Sequence, residues 1–165
     1  MRFTKSQAAL EFLTTYGWAF LIILIGIATL AYFGILNPSK ILPSRCTLGP
    51  EFQCSDFQIK DLGANTDEFR LRLKNTAGDK VDVNSIIIAK EDETAYTCTL
   101  PETMPITSWR LNEIKVLAWT GCTFGDLSAG EKGKVYITIR YNTVTAGNTF
   151  EKEVKGEVYT TVLGS

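Results

Sequence analysis

From Phe12 to Leu36 the chain carries no charged residue, and most positions are Leu, Ile, Phe, Ala, Tyr, Trp or Gly. Nothing else in the sequence narrows the fold as much. A stretch of about 25 residues, helical at about 1.5 Å per residue, is long enough to cross a bilayer with some tilt. A helix that is apolar on every side must be buried on every side, by lipid or by protein. Gly17, Gly26 and Gly34 suit such a helix, because small residues let backbones approach closely. Arg2 and Lys5 precede the run and the next charge after it is Lys40, so the positive-inside bias keeps the N-terminus cytoplasmic and sends the C-terminal part outside. Glu11 stands at the lip of the run, where a carboxylate is costly once the run is buried.

The rest of the chain has a different composition. Of the 17 basic and 18 acidic residues, all but Arg2, Lys5 and Glu11 lie from Lys40 onward. They form a mixed, mildly acidic surface with no basic stripe along the sequence, which argues against nucleic acid as the main partner. Histidine is absent, which removes the commonest general base and the commonest zinc ligand. The sequence shows no Ser/His or Cys/His arrangement, no glycine-rich phosphate loop and no metal-ligand cluster, so neither an enzyme nor a cofactor is expected. Glu91-Asp92-Glu93 reads as a solvated turn rather than a calcium site. No N-glycosylation sequon is present, since Asn37-Pro38-Ser39 is excluded by its proline.

The four cysteines, Cys46, Cys54, Cys98 and Cys122, all follow the apolar run, and none sits in a C-x-x-C pair that would favour zinc or redox chemistry. An even count beyond a membrane-crossing segment suggests disulfides in an oxidising exterior. Three pairings are possible, and sequence proximity favours Cys46–Cys54 and Cys98–Cys122. The first would staple the linker to the domain. The second would close a loop of about 25 residues and contribute roughly 3 kcal/mol.

Pro38 and Pro43, in NPSKILPSR, end the helix and make residues 38–45 an extended linker. Beyond it the apolar period changes to two. FQIKDL, EFRLRLKN, VDVNSIIIAK, TAYTCTL, EIKVLAWT, KVYITIRYN and FEKEVKGEVYTTV read as strands, separated by turns at Gly63–Asn65, Ala77–Asp79, Ser128–Gly133 and Thr145–Asn148. The expected fold is therefore α+β: a long N-terminal hydrophobic helix over 7–37, then an all-β, immunoglobulin-like sandwich of about seven strands over 46–165.

The segment KSQAALEFLTTYGWAFLIILIGIATLAYFGIL resembles the N-terminus of archaeal type IV pilins with class III signal peptides. In that family a short basic leader is removed ahead of the apolar helix, the first mature residue is Gln, and Glu-Phe occupies the fifth and sixth mature positions. Gln7, Glu11 and Phe12 have that spacing, and Leu13 to Ala19 matches the family's Leu-x-x-Tyr-Gly-Trp-Ala run. Two positions depart from the pattern: Ser6 stands where Gly or Ala is more frequent, and Ala9 where Ser is often found.

The resemblance implies a leader over 1–6, cut between Ser6 and Gln7 by a membrane-embedded prepilin peptidase. It implies a filament-core helix over 7–37 built on Leu13, Tyr16, Trp18, Phe20, Ile23, Ile27, Leu30 and Phe33, with Glu11 and Phe12 as assembly residues. An assembly ATPase and a platform membrane protein would draw subunits from the membrane into an extracellular homopolymer, for adhesion or cell–cell contact. Glu11, meeting the new α-amino group of Gln7 on an adjacent subunit, would register the stack, a task for which a buried charge pair is better suited than for adding stability. A cleavable secretory signal fits less well, because its apolar core is normally 7–15 residues. A plain signal anchor leaves Glu11 unexplained. The alternative function is a membrane-anchored monomeric binding protein or minor tip adhesin; Trp109 and Trp119 would be candidates for its exposed recognition site, although a place in or beside the core is the expectation for each.

Overall fold

The computed structural model describes residues 4–33, 42–63, 66–100, 102–146 and 150–164. The chain divides into two compact units, residues 1–42 and 43–165.

The first unit is helix α1, Thr4–Tyr32. It starts earlier than the expected position 7, taking in Lys5 and Ser6; the expected end over 34–37 lies outside the described residues. Within it, Thr14–Tyr32 is long and apolar enough to cross a membrane by length and composition, spanning about 28 Å. The threonine hydroxyls in this stretch are satisfied internally. Thr14 and Thr15 donate to the Glu11 carbonyl at 3.0 and 2.8 Å, and Thr29 donates to the Gly26 carbonyl at 2.8 Å. Such back-bonding lets threonine sit in an apolar helix without an unpaired donor.

The second unit carries eight strands: β1 (Arg45–Thr47), β2 (Phe52–Lys60), β3 (Asp67–Asn75), β4 (Val81–Ala89), β5 (Ile106–Trp109), β6 (Ile114–Cys122), β7 (Lys132–Thr143) and β8 (Lys152–Leu163). A single turn of 3-10 helix, Val144–Ala146, follows β7. The hydrogen-bonded order is β5-β4-β7-β8-β2-β3-β6, with β1 beside β8. All pairings are antiparallel except β2 with β8, which meet in parallel only at Ile59–Val162 and Lys60–Leu163. That short seam separates a first layer (β5, β4, β7, β8 and β1) from a second (β2, β3 and β6).

The sheet cannot lie flat. Strands β5 and β6 stand at opposite ends of the order, yet only residues 110–113 join them. Six inter-strand spacings would separate the ends by about 29 Å, whereas the connection reaches roughly 17 Å. The layers therefore fold face to face. Phe52 of β2 shows the contact, lying 5.5 Å from Trp109 of β5 and 5.2 Å from Tyr141 of β7 by ring centroid, neither of them on a neighbouring strand. The architecture is a helix followed by an eight-stranded, mostly antiparallel, sandwich-like sheet.

Period-two patterning selects the core. In β3, Phe69, Leu71 and Leu73 are buried while Arg70 and Arg72 are exposed. In β4 a register shift between Val83 and Ser85 moves the inward phase from Val81 and Val83 to Ile86 and Ile88, as a bulge does. Gly156 lies where the chain leaving β1 passes from one layer to the other. A Cβ there would stand 2.3 Å from the Thr47 carbonyl oxygen and 2.5 Å from Leu48 Cδ2, so only glycine admits the crossing.

The described residues form eight strands, in keeping with the expected number of about seven, though β1 and β5 are too short, at three and four residues, to show a period. Two finer expectations change. TAYTCTL is not a strand and forms only isolated bridges, Ala95 to Ala89 and Thr99 to Thr120. Its ends touch β4 in one layer and β6 in the other, so it crosses a gap of about 10 Å and ladders with neither. Finally, the β-unit begins at Pro43, before the expected boundary at 46, and Arg45 already belongs to β1.

Candidate functional site

Ser6 and Gln7 lie in the first turns of α1, and Glu11 and Phe12 follow one turn later. The Leu13 backbone is helical, but its side chain lies outside the described residues. At 3.6 residues per turn, Phe12, Tyr16, Phe20, Ile23, Ile27 and Leu30 fall on one side of the helix. Trp18, Leu21, Leu24 and Ile25 fall on the others, and all of these side chains are exposed. Glu11 shares its stripe with Thr15, Trp18 and Ile22. Phe12 and Tyr16 pack ring to ring at 4.5 Å, and Phe33, just past the helix end, is 5.6 Å from Tyr32. The described part of α1 thus joins a carboxylate to an apolar surface that has no bare polar side.

In the β-unit, Cys46 is bonded to Cys54 and Cys98 to Cys122. The first bond ties β1 to β2, fixing the strand through which the chain enters the sheet; the second ties the layer-crossing segment to β6. Trp109 and Trp119 do not form a recognition surface. Both are buried, Trp109 with its indole N–H donating to the Glu113 carbonyl at 3.0 Å and Trp119 against Phe69 at 5.2 Å.

Two buried polar side chains hold opposite ends of the domain, and neither is singled out by the sequence. Asp67 accepts the N–H groups of Leu62 and Phe124 at 3.1 and 3.0 Å. Asn75, fully buried, donates to the carbonyls of Asp79 and Trp109 and accepts from the Ala77 N–H, all at 2.9 Å. Its one sequence signal is the turn-forming context NTAGD. Close by, Thr145 hydrogen-bonds Asp79 through both its hydroxyl and its N–H, and the hydroxyl bond is the chief reason the Asp79 carboxyl is held below its ordinary range. Burial pushes the Tyr96 phenol up, and its hydrogen bond to Asp126 adds to the effect.

The two outer faces differ in charge. On the face of β1, β7 and β8 cations sit beside acids: Arg140 is 3.0 Å from Glu153, Lys155 is 3.6 Å from the same carboxylate, and Lys134 of β7 and Arg45 of β1 meet Glu157 at 3.4 and 2.7 Å, while Lys132 donates instead to the Ser44 hydroxyl at 3.3 Å. The Glu153 carboxyl is lowered accordingly, first by its bond from Arg140. The outer side of β3 carries Arg70, Arg72 and Lys74 in a row. Arg70 pairs with Glu68 at 3.0 Å, whereas Arg72 and Lys74 make no hydrogen bond or ion pair with any described residue. Strand alternation gathers cations that the sequence intersperses with Leu71 and Leu73.

Glu91, Asp92 and Glu93 form an exposed turn after β4. Among the described residues no group of three or more His, Cys, Asp or Glu side chains is placed to hold a metal ion. The open grooves over the two outer faces are lined by strand side chains such as Tyr136, Arg140 and Glu153 on one and Gln58, Arg72 and Val116 on the other. No protein-family model, no curated protein and no solved structure matches the chain.

Proposed function

We infer that this chain is the structural subunit of an extracellular, type IV pilus-like filament of archaeal kind, polymerising through α1. The observation that carries the reading is the union in one helix of apolar exposure on every side with Glu11 at the head of the apolar run. A lipid anchor uses the first property and has no use for the second. In lipid, Leu and Ile gain little by exchanging acyl chains for a neighbouring helix, so the segment can wait in the bilayer. Drawn out of the bilayer, it must bury the exposed apolar side chains that run from Phe12 to Phe33, and copies of itself provide the matching surface.

In this reading a prepilin peptidase cuts between Ser6 and Gln7, and an ATPase with a platform membrane protein drives extraction. Glu11 pairs with the new amine of Gln7 on the neighbouring subunit and fixes the axial register. The disulfide-bonded β-unit, which we read as immunoglobulin-like, forms the sheath and meets surfaces or other cells. Two disulfides suit that exterior. The monomeric receptor loses support because Trp109 and Trp119 are core residues.

The test is negative-stain microscopy of material sheared from the cell surface, with N-terminal sequencing of its subunit. Filaments whose protein begins at Gln7 are expected. A membrane-retained monomer that begins at Met1 would overturn the reading.

A further inference from the structure

The two outer faces of the β-unit suggest which surfaces meet when copies associate. The face of β2, β3 and β6 carries the row Arg70, Arg72 and Lys74, spaced by about 7 Å along β3. Asp56 is opposite Arg72 in the register, but one of its oxygens accepts the Phe57 N–H and the two form no ion pair. On the other flank of the row, Ile114 and Val116 of the end strand β6 are 52% and 51% exposed. Unpaired arginine beside exposed aliphatic side chains is the composition of an interface core rather than of a solvated face.

A complementary surface exists on the same chain. Lys90 to Thr94 forms a tight turn, closed by the Glu93 N–H on the Lys90 carbonyl at 3.1 Å and the Lys90 N–H on the Thr94 carbonyl at 2.9 Å. Three successive carboxylates, Glu91, Asp92 and Glu93, are exposed on it. The adjoining cation makes its ion pair elsewhere, the Lys90 ammonium lying 3.4 Å from Asp126 and over the Tyr96 ring, although its charge also reaches Asp92. The turn follows β4 of the first layer, while the basic row belongs to the second, so the two surfaces are different patches. Contact between unlike patches on identical chains is head-to-tail and propagates an open helix wherever its rotation does not close a ring, whereas a self-complementary patch closes into a dimer.

We propose that the outer face of β2, β3 and β6 is the seat on which the acidic turn Glu91–Glu93 of the next copy docks, an inference that rests on the polymer reading above and adds a second interface to that of α1. The cations meet the carboxylates, and Ile114 and Val116 are covered within the same contact.

The experiment places the photocrosslinker p-benzoylphenylalanine at Val116 in the full chain, in the cells that make it, and identifies the product by mass spectrometry. The expected product joins position 116 to the peptide holding Glu91–Glu93 of a second copy. Arg70→Glu with Arg72→Glu lowers its yield about tenfold, a modest effect for close charge pairs. Adding Glu91→Lys with Glu93→Lys restores the yield, and raising salt lowers it in the unaltered chain. A product joined to another part of a second copy, to an acidic polymer or to an unrelated protein overturns the docking, as does no product. Microscopy of the same cells separates the two ideas. Filaments without this product overturn the docking and leave the polymer standing; the product without filaments does the reverse.

Discussion

In α1, Trp18 and Phe20 are 73% and 64% exposed, while in the β-unit Trp109 and Phe69 are 0% exposed. The same residue types thus have opposite surroundings within one chain. The β-unit meets its burial requirement internally, through alternation that turns one side of each strand to a shared core. The helix has no such alternation and no polar side, so its apolar surface calls for lipid or protein around it. One region is therefore folded by its sequence, and the other, in the reading proposed above, is completed by its neighbours.

The contrast can be tested by matched truncations. Trp109→Ala should cost the β-unit about 3–5 kcal/mol, as removal of a buried tryptophan does, read by urea unfolding of the full chain in detergent through its β-sheet circular dichroism. Trp18→Ala should leave that midpoint unchanged, and a comparable loss from both variants would break the distinction. Replacing Cys98 and Cys122 together by Ser should cost roughly 3 kcal/mol, since the bond closes a 24-residue separation. The same urea titration would contradict this if the midpoint stayed fixed. Asp67→Ala should cost about 1–3 kcal/mol, because it leaves the Leu62 and buried Phe124 N–H groups without their acceptor.

The smallest expected effect concerns alkaline pH. The folded state raises the Tyr96 phenol above its ordinary value of about 10, burial being the first cause. The folded chain therefore keeps a proton that the unfolded chain has lost, and the stability this contributes is complete below pH of about 10 and declines above it. Tyr96→Phe should flatten that decline in the urea midpoint. Tyr141, also raised by burial, keeps the remainder. An unchanged slope would remove Tyr96 from the account.

Much of the sheet can be read from the sequence where one side of a strand is dry and the other wet. EFRLRLKN is such a case, with Phe69, Leu71 and Leu73 inward and Arg70 and Arg72 outward. The reading fails where a segment's partner changes along its length. TAYTCTL has the composition of a strand, but Ala95 belongs to one layer and Thr99 to the other, and no local pattern records that crossing. Strands β1 and β5 are invisible because three or four residues contain no period. Asp67 and Asn75 resemble surface residues in sequence, since only three-dimensional proximity supplies the backbone groups that satisfy them. The helix site shows the reverse. Glu11 and Phe12 stand out in the sequence, whereas the isolated chain offers Glu11 no partner from a second copy. The row of Arg70, Arg72 and Lys74 falls between these cases, since its alternation is present in the sequence but the unpaired state of the Arg72 and Lys74 side chains appears only with the register of β2 and β6 beside it.

The central claim is that α1 is built to be buried by copies of itself, with Glu11 setting their register. It is tested most directly by Glu11→Ala in the full chain, scoring the N-terminal residue by mass spectrometry and surface filaments by microscopy in the same cells. The account predicts a protein that begins at Gln7, is held in the membrane and forms no filaments. Filaments as abundant as those of the unaltered chain would contradict it.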